Sequence, residues 1–173
     1  MTAGADRQRR RRFRKTLRAA LGCAPVLALA FATAAAPGCA DAADSPALAA
    51  GAFRVVADGI PEPFAAGPGD AARGRALIIA RDPANCVLCH AIPEAAVRFA
   101  GDLGPTLAGV GARLTAAKLR LRVADNLRVN PATIMPSYYR IDGLDRVAPA
   151  YRGKPILSGP EIEDVVAYLA TLR

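Results

Sequence analysis

No tryptophan occurs in the 173 residues, aromatic side chains make up only 5% of the chain, and histidine appears once, at His90. Beyond the initiator there is a single methionine, Met135. One histidine excludes a metal site built on several imidazoles. Scarce aromatics beside abundant alanine, glycine and proline give a thin core of small residues, one helped by a large apolar ligand to fold around. No segment sustains the period-two alternation of a strand, and no internal repeat is visible, so the class is mostly α. The longest apolar run, from about Leu21 to Ala36, falls short of the roughly 20 residues that cross a bilayer.

Acidic residues are nearly missing from the start of the chain. Of the 23 Lys/Arg and 15 Asp/Glu residues, eight basic and one acidic fall within residues 1–40, leaving fifteen and fourteen for the rest. A basic beginning, a short apolar stretch and small residues at "PGCADAADSPALAA" predict a secretory signal peptide over residues 1–42, cleaved after Ala40 or Ala42. "RRRFRK" also fits twin-arginine export, with chance the better explanation where arginine is so frequent. Cys39 follows a poor lipobox, so a lipid anchor there is the minority reading, and Cys23 leaves with the signal. The mature chain then carries a net +1, which removes the case for nucleic-acid binding, and it has no membrane span. The location this predicts is the periplasm.

Residues 43–69 hold Pro46, Pro61, Pro63 and Pro68 without a sustained period and predict an extended N-terminal arm lying over a domain at residues 70–173. Asp70 in N-cap position opens a helix that stops at Asp82-Pro83. "ANCVLCHAI" predicts a short helical turn, whereas "GDLGPTLAGVG", residues 101–111, is too rich in glycine for a regular element. Thr115 caps a helix whose apolar residues Leu119, Val123 and Leu127 recur every four positions until Asn130-Pro131. Lys118, Arg120, Arg122 and Arg128, with Asp125 among them, predict a solvated helix face in preference to an anion-facing surface. A long irregular loop follows, and Ser158 and Glu161 in capping-box spacing open the last helix, with apolar Ile162, Val165, Val166 and Leu169.

The chemistry concentrates in "NCVLCHAIP", residues 85–93. A Cys-x-x-Cys redox pair belongs at a helix start after a strand in an α/β domain, and no such pattern is present. Structural zinc needs four ligands, and two cysteines and one histidine within five residues do not supply them. A disulfide across two residues closes too small a loop to stabilise much. Haem attachment uses every residue: Cys86 and Cys89 form thioethers with the two vinyl groups, and His90 supplies a nitrogen to iron. The opposite ligand follows by elimination. Met135 lies in "NPATIMPSYY" between Pro131 and Pro136, which stiffen the loop; filling a gap in the core is its other reading, and Lys118 and Lys154 are weaker competitors. With both axial positions filled, the iron moves electrons.

"NCVLCH", "LGPTL", the methionine loop and "VVAYLATL" resemble class I cytochrome c. The resemblance implies that fold around one covalent haem c, with the first helix crossing the last at right angles and Gly74 allowing close approach near Tyr168. It implies too that the Pro105 carbonyl accepts from His90 Nδ1–H. "ANCVLCHAIPE", "GDLGPTLAGVGAR", "VADNLRVNPATIMPSYYR", "GLDRVA", "GKPILS" and "EIEDVVAYLATL" further resemble the SoxX family, over about residues 70–173. SoxX is the monohaem cytochrome subunit of the periplasmic SoxAX complex of sulfur oxidation. The implied partners are a SoxA-like dihaem or monohaem cytochrome subunit, in a heterodimer, the SoxYZ carrier, and a small acceptor cytochrome c. The implied activity is electron transfer within an L-cysteine S-thiosulfotransferase, thiosulfate being joined to a SoxYZ cysteine on the partner. A free-standing carrier serving a terminal oxidase or reductase is the alternative, and an open-site haem enzyme such as a peroxidase a further one.

Overall fold

The computed structural model describes residues 50–173, and the signal peptide, Cys23, Cys39 and the start of the arm lie outside them. Four α-helices carry the fold: α1 (Ala71–Ile79), α2 (Val110–Arg113), α3 (Ala116–Asp125) and α4 (Gly159–Thr171). Short 3-10 turns cover Cys86–Leu88, Asn126–Arg128 and Pro149–Tyr151. The described residues contain one isolated antiparallel bridge, Val56 to Gly59, and no strand.

Local signals start the helices where the sequence puts them. The Asp70 carboxylate accepts from Ala72 N at 2.7 Å and Arg73 N at 3.0 Å, satisfying two of the donors a helix start leaves open. Thr115 Oγ1 accepts from Lys118 N at the head of α3. At the head of α4, the Glu161 side chain reaches back to accept from Ser158 N at 2.7 Å. Two differences appear. The helix expected to run to Asn130 ends at Asp125 and tightens into a 3-10 turn, because Asn126 turns its amide toward Thr133 of the following loop, at 2.8 Å. The segment expected to be irregular closes on α2, whose Gly111 N donates to Leu172 O at 2.8 Å, a tertiary bond with no local signature.

The core lies between α1, α3 and α4. Ile78, Leu119, Leu121, Ile162 and Val165 are all 2% exposed or less, and each such side chain withdrawn from water is worth about 1.5–3 kcal/mol. α1 packs on α4 at Gly74, where an added Cβ would stand 1.9 Å from Asp164 O and 3.0 Å from Val165 N. The close approach is therefore at Asp164–Val165, one turn before the Tyr168 anticipated. Asp164 also ties the helices through charge, accepting from Asp70 N at 2.6 Å and from Arg73 Nε and Nη2 at 2.7 and 2.8 Å.

The expected solvated face on α3 needs correction. Arg120 is buried and paired with buried Glu163 of α4 through two bonds of 2.7 and 2.8 Å. The pair reaches into the N-terminal segment as well: Arg120 Nη1 donates to Ile60 O at 2.6 Å, and Phe64 N donates to Glu163 Oε1 at 3.0 Å. Asp125 is buried too, accepting from Ser137 Oγ at 2.7 Å with Arg140 Nε 2.8 Å away. Desolvating these charges is what forces them into pairs. Residues 50–69 thus lie on the helices, with Phe53 and Phe64 packed against Tyr139.

Candidate cofactor site

The 3-10 turn at Cys86–Leu88 sets both cysteines and His90 on the wall of a cavity of about 710 Å³. Asn85, at φ 51°, turns the chain into it. Both cysteines are half-buried, and neither is paired in a disulfide. Burial pushes the Cys86 thiol up to about 11, the reverse of the lowered value that makes a dithiol redox-active. That counts against a disulfide-exchange centre.

His90 is held from behind. Its Nδ1 lies 2.7 Å from the Pro105 carbonyl, which can only accept, so Nδ1 carries the proton and the Nε2 lone pair is left for a metal. The loop bringing Pro105 there passes against the ring at Gly104, where any Cβ would stand 2.4 Å from His90 Cε1. Gly104 N donates to Cys89 O and Leu107 N to Ala91 O, at 2.8 and 2.9 Å, fixing the loop to the attachment turn.

Met135 lines the same cavity, 45 residues along the chain from His90. Its loop is built by short-range bonds: Ala132 N to Asn130 Oδ1 at 3.0 Å, Thr133 N to Asn130 O at 3.0 Å, and Met135 N to Thr133 Oγ1 at 3.2 Å. Leu107, Val110, Leu119, Val123 and Leu169 supply apolar wall, and Arg113, Arg122, Asn126 and Thr133 supply polar groups. Lys118 pairs with Asp58 instead and does not line the cavity, and neither does Lys154. The structure therefore brings Cys86, Cys89, His90, Pro105 and Met135 onto one wall system. Sequence reasoning missed Arg122, Asn126 and Thr133 there, Asn126 and Thr133 meeting through a bond that no spacing announces. Tyr138, beside the methionine loop in the sequence, has the haem edge and a partner subunit as its two readings, and the structure places its ring at the cavity.

A space of this size suits a cofactor, sites of about 300–1,000 Å³ being usual. A flat apolar macrocycle with two thiol-accepting vinyl groups and carboxylates fits what lines it: two thiols, an imidazole with a free Nε2, a thioether, apolar walls and two guanidinium groups. Fold and site together define a c-type cytochrome. The chain matches the cytochrome c family over residues 71–173. Among solved structures, SoxXA from P. pantotrophus is similar at 35% identity with a TM-score of 0.64, over 69% of this chain and 93% of that one. The c-type cytochrome SorU from Sinorhizobium meliloti matches at 25% identity and a TM-score of 0.38, over 59% of this chain and 88% of that one, a likeness on which nothing further is built. No curated protein matches. The chain belongs to the cytochrome c family, as a SoxX-like monohaem cytochrome c that binds haem c covalently.

Proposed function

We propose that this chain is the electron-relay subunit of a periplasmic SoxAX complex, exported by a signal peptide over residues 1–42. Cys86 and Cys89 form the two haem thioethers, and His90 Nε2 and Met135 Sδ are the axial ligands. The observation that carries this reading is the convergence of both thiols, the Pro105-oriented imidazole and the remote thioether on one cavity. Haem c, when bound, supplies a one-electron ferric/ferrous couple.

The chain's own residues set how that couple behaves. Pro105 holds the His90 ring in one tautomer and one orientation. The Met135 thioether favours the ferrous state and raises the potential relative to a second nitrogen ligand. Apolar Leu107, Val123 and Leu169 on the cavity wall would keep water from a bound haem, and Arg113 and Arg122, which also line it, would supply positive charge for its carboxylates.

Joining thiosulfate to a carrier cysteine forms one S–S bond, releases the thiol proton and frees two electrons, which a single haem takes one at a time. With Cys23 and Cys39 removed or acylated during export and Cys86 and Cys89 alkylated, this chain keeps no thiol for a sulfur adduct. The sulfur chemistry therefore falls to a SoxA-like partner, with SoxYZ as carrier and a small cytochrome c as acceptor. Affinity purification from the periplasm, with haem staining of every recovered chain, tests this. A second haem-bearing subunit and thiosulfate-dependent reduction of this haem are expected. A lone monomer, reducible only by another cytochrome or a membrane complex, would favour the free-standing carrier.

A further inference from the structure

Tyr138 follows Met135 by three residues and is anchored in three directions. Its N–H donates to Val123 O of α3 at 3.3 Å, and its carbonyl accepts from Leu157 N at 3.0 Å. Its ring lines the cavity, and its hydroxyl donates to Ala84 O at 2.5 Å, two residues before Cys86. Ala84 is 1% exposed, so water is a poor substitute for that donor. The other donor near this carbonyl is the Cys86 thiol, at 3.9 Å, and thioether formation removes its proton. In the haem-loaded protein the Tyr138 hydroxyl is thus the remaining donor among the described contacts of Ala84 O, and losing it leaves a buried acceptor unpaired.

We propose that Tyr138 is a positioning residue for Met135, a crossbar whose hydroxyl holds the exit of the methionine loop against the segment that feeds Cys86. It rests on the reading of Met135 as axial ligand. The entry of the loop is fixed by Asn126 and Thr133 and the residue before Tyr138 by Asp125. Among the described residues, the hydroxyl bond is the one that ties the loop to the cysteine side of the cavity. Without it, Met135 leaves the iron more readily.

The test compares ferric holoprotein of wild type, Tyr138→Phe and Tyr168→Phe. It reads cyanide affinity, the long-wavelength thioether-to-iron charge-transfer band and the reduction potential. Tyr168→Phe also removes a tyrosine hydroxyl, one bound to Glu94 at 2.7 Å, and serves as the control for general loosening. Expected are cyanide binding about tenfold tighter and a weakened band in Tyr138→Phe, with the Tyr168→Phe affinity within about twofold of wild type. Wild-type affinity and band in Tyr138→Phe, or an equal gain in Tyr168→Phe, overturn the proposal while leaving Met135 as ligand. A wild-type spectrum without the band overturns the Met135 reading, and the proposal with it. Should Tyr138→Phe yield no holoprotein, 3-fluorotyrosine placed at position 138 keeps the hydroxyl and strengthens it as a donor. Cyanide affinity then falls, and an unchanged value overturns the proposal.

Discussion

Glu94, four residues beyond His90, accepts from both Arg75 Nε and Nη2 at 2.8 Å and from the Tyr168 hydroxyl at 2.7 Å. Those bonds, Arg75 first, hold its carboxyl down to about 2 from an ordinary 4.5. Because the folded value is the depressed one, the stabilisation is complete above about pH 4.5 and is lost as pH falls toward 2. Glu94→Gln is expected to flatten acid unfolding across that window and to leave stability at pH 7 to 9 parallel to wild type, as urea titrations at each pH will read. Asn126 acts at the cavity itself. Asn126→Ala removes the donor to Thr133 Oγ1, and its expected effect is a lower reduction potential with a melting temperature within a few degrees of wild type; an unchanged potential contradicts a role in holding the methionine loop. His90 and Met135 stood out in the sequence because each is alone of its kind. Asn126 did not, since its role comes from a bond to Thr133 that no spacing announces, and Tyr138 stood out only by its place beside the methionine loop, its bond to Ala84 having no local signature.

Helix contacts divide in the same way. The starts of α1, α3 and α4 were legible because Asp70, Thr115 and the Ser158/Glu161 pair act within one turn of themselves. α2 was not, being four residues long and held through Leu172. The burial of Arg120 was hidden because its partner, Glu163, lies 43 residues away on another helix. Glu163→Gln leaves that guanidinium buried without a countercharge, and breaking such a pair costs about 3–5 kcal/mol. Chemical unfolding of the holoprotein should show a loss of this size, and a loss under about 1 kcal/mol would mean that the pair is solvated. Gly74 makes a sharper case. A methyl group there collides with main chain at Asp164, and a forced side chain costs about 1–3 kcal/mol or more because backbone has to move. Gly74→Ala should lower the melting temperature and leave the haem spectrum of the folded fraction intact.

For the molecule as a whole, the fold is a holder for one cofactor. The described helices α1, α3 and α4 close on a core of mostly aliphatic side chains, and α2, α3, α4 and the loops leave a cavity beside it, which is how a chain so poor in aromatics builds a cofactor-centred fold. No helix among the described residues is long and apolar enough to cross a membrane. The N-terminal segment adds Ile60, 1% exposed, to the helices that frame the cavity, so truncating the chain at Asp70 is expected to lower the thermal midpoint of the holoprotein without changing its axial ligands. Underlying all of this is the covalent link between Cys86, Cys89 and haem. Intact-mass measurement of the processed chain after denaturation and acid-acetone extraction addresses it most directly. The mass should exceed that of the bare polypeptide by one haem, with the addition mapping to the peptide that holds both cysteines and His90. A bare-chain mass with the pigment in the extract would contradict it.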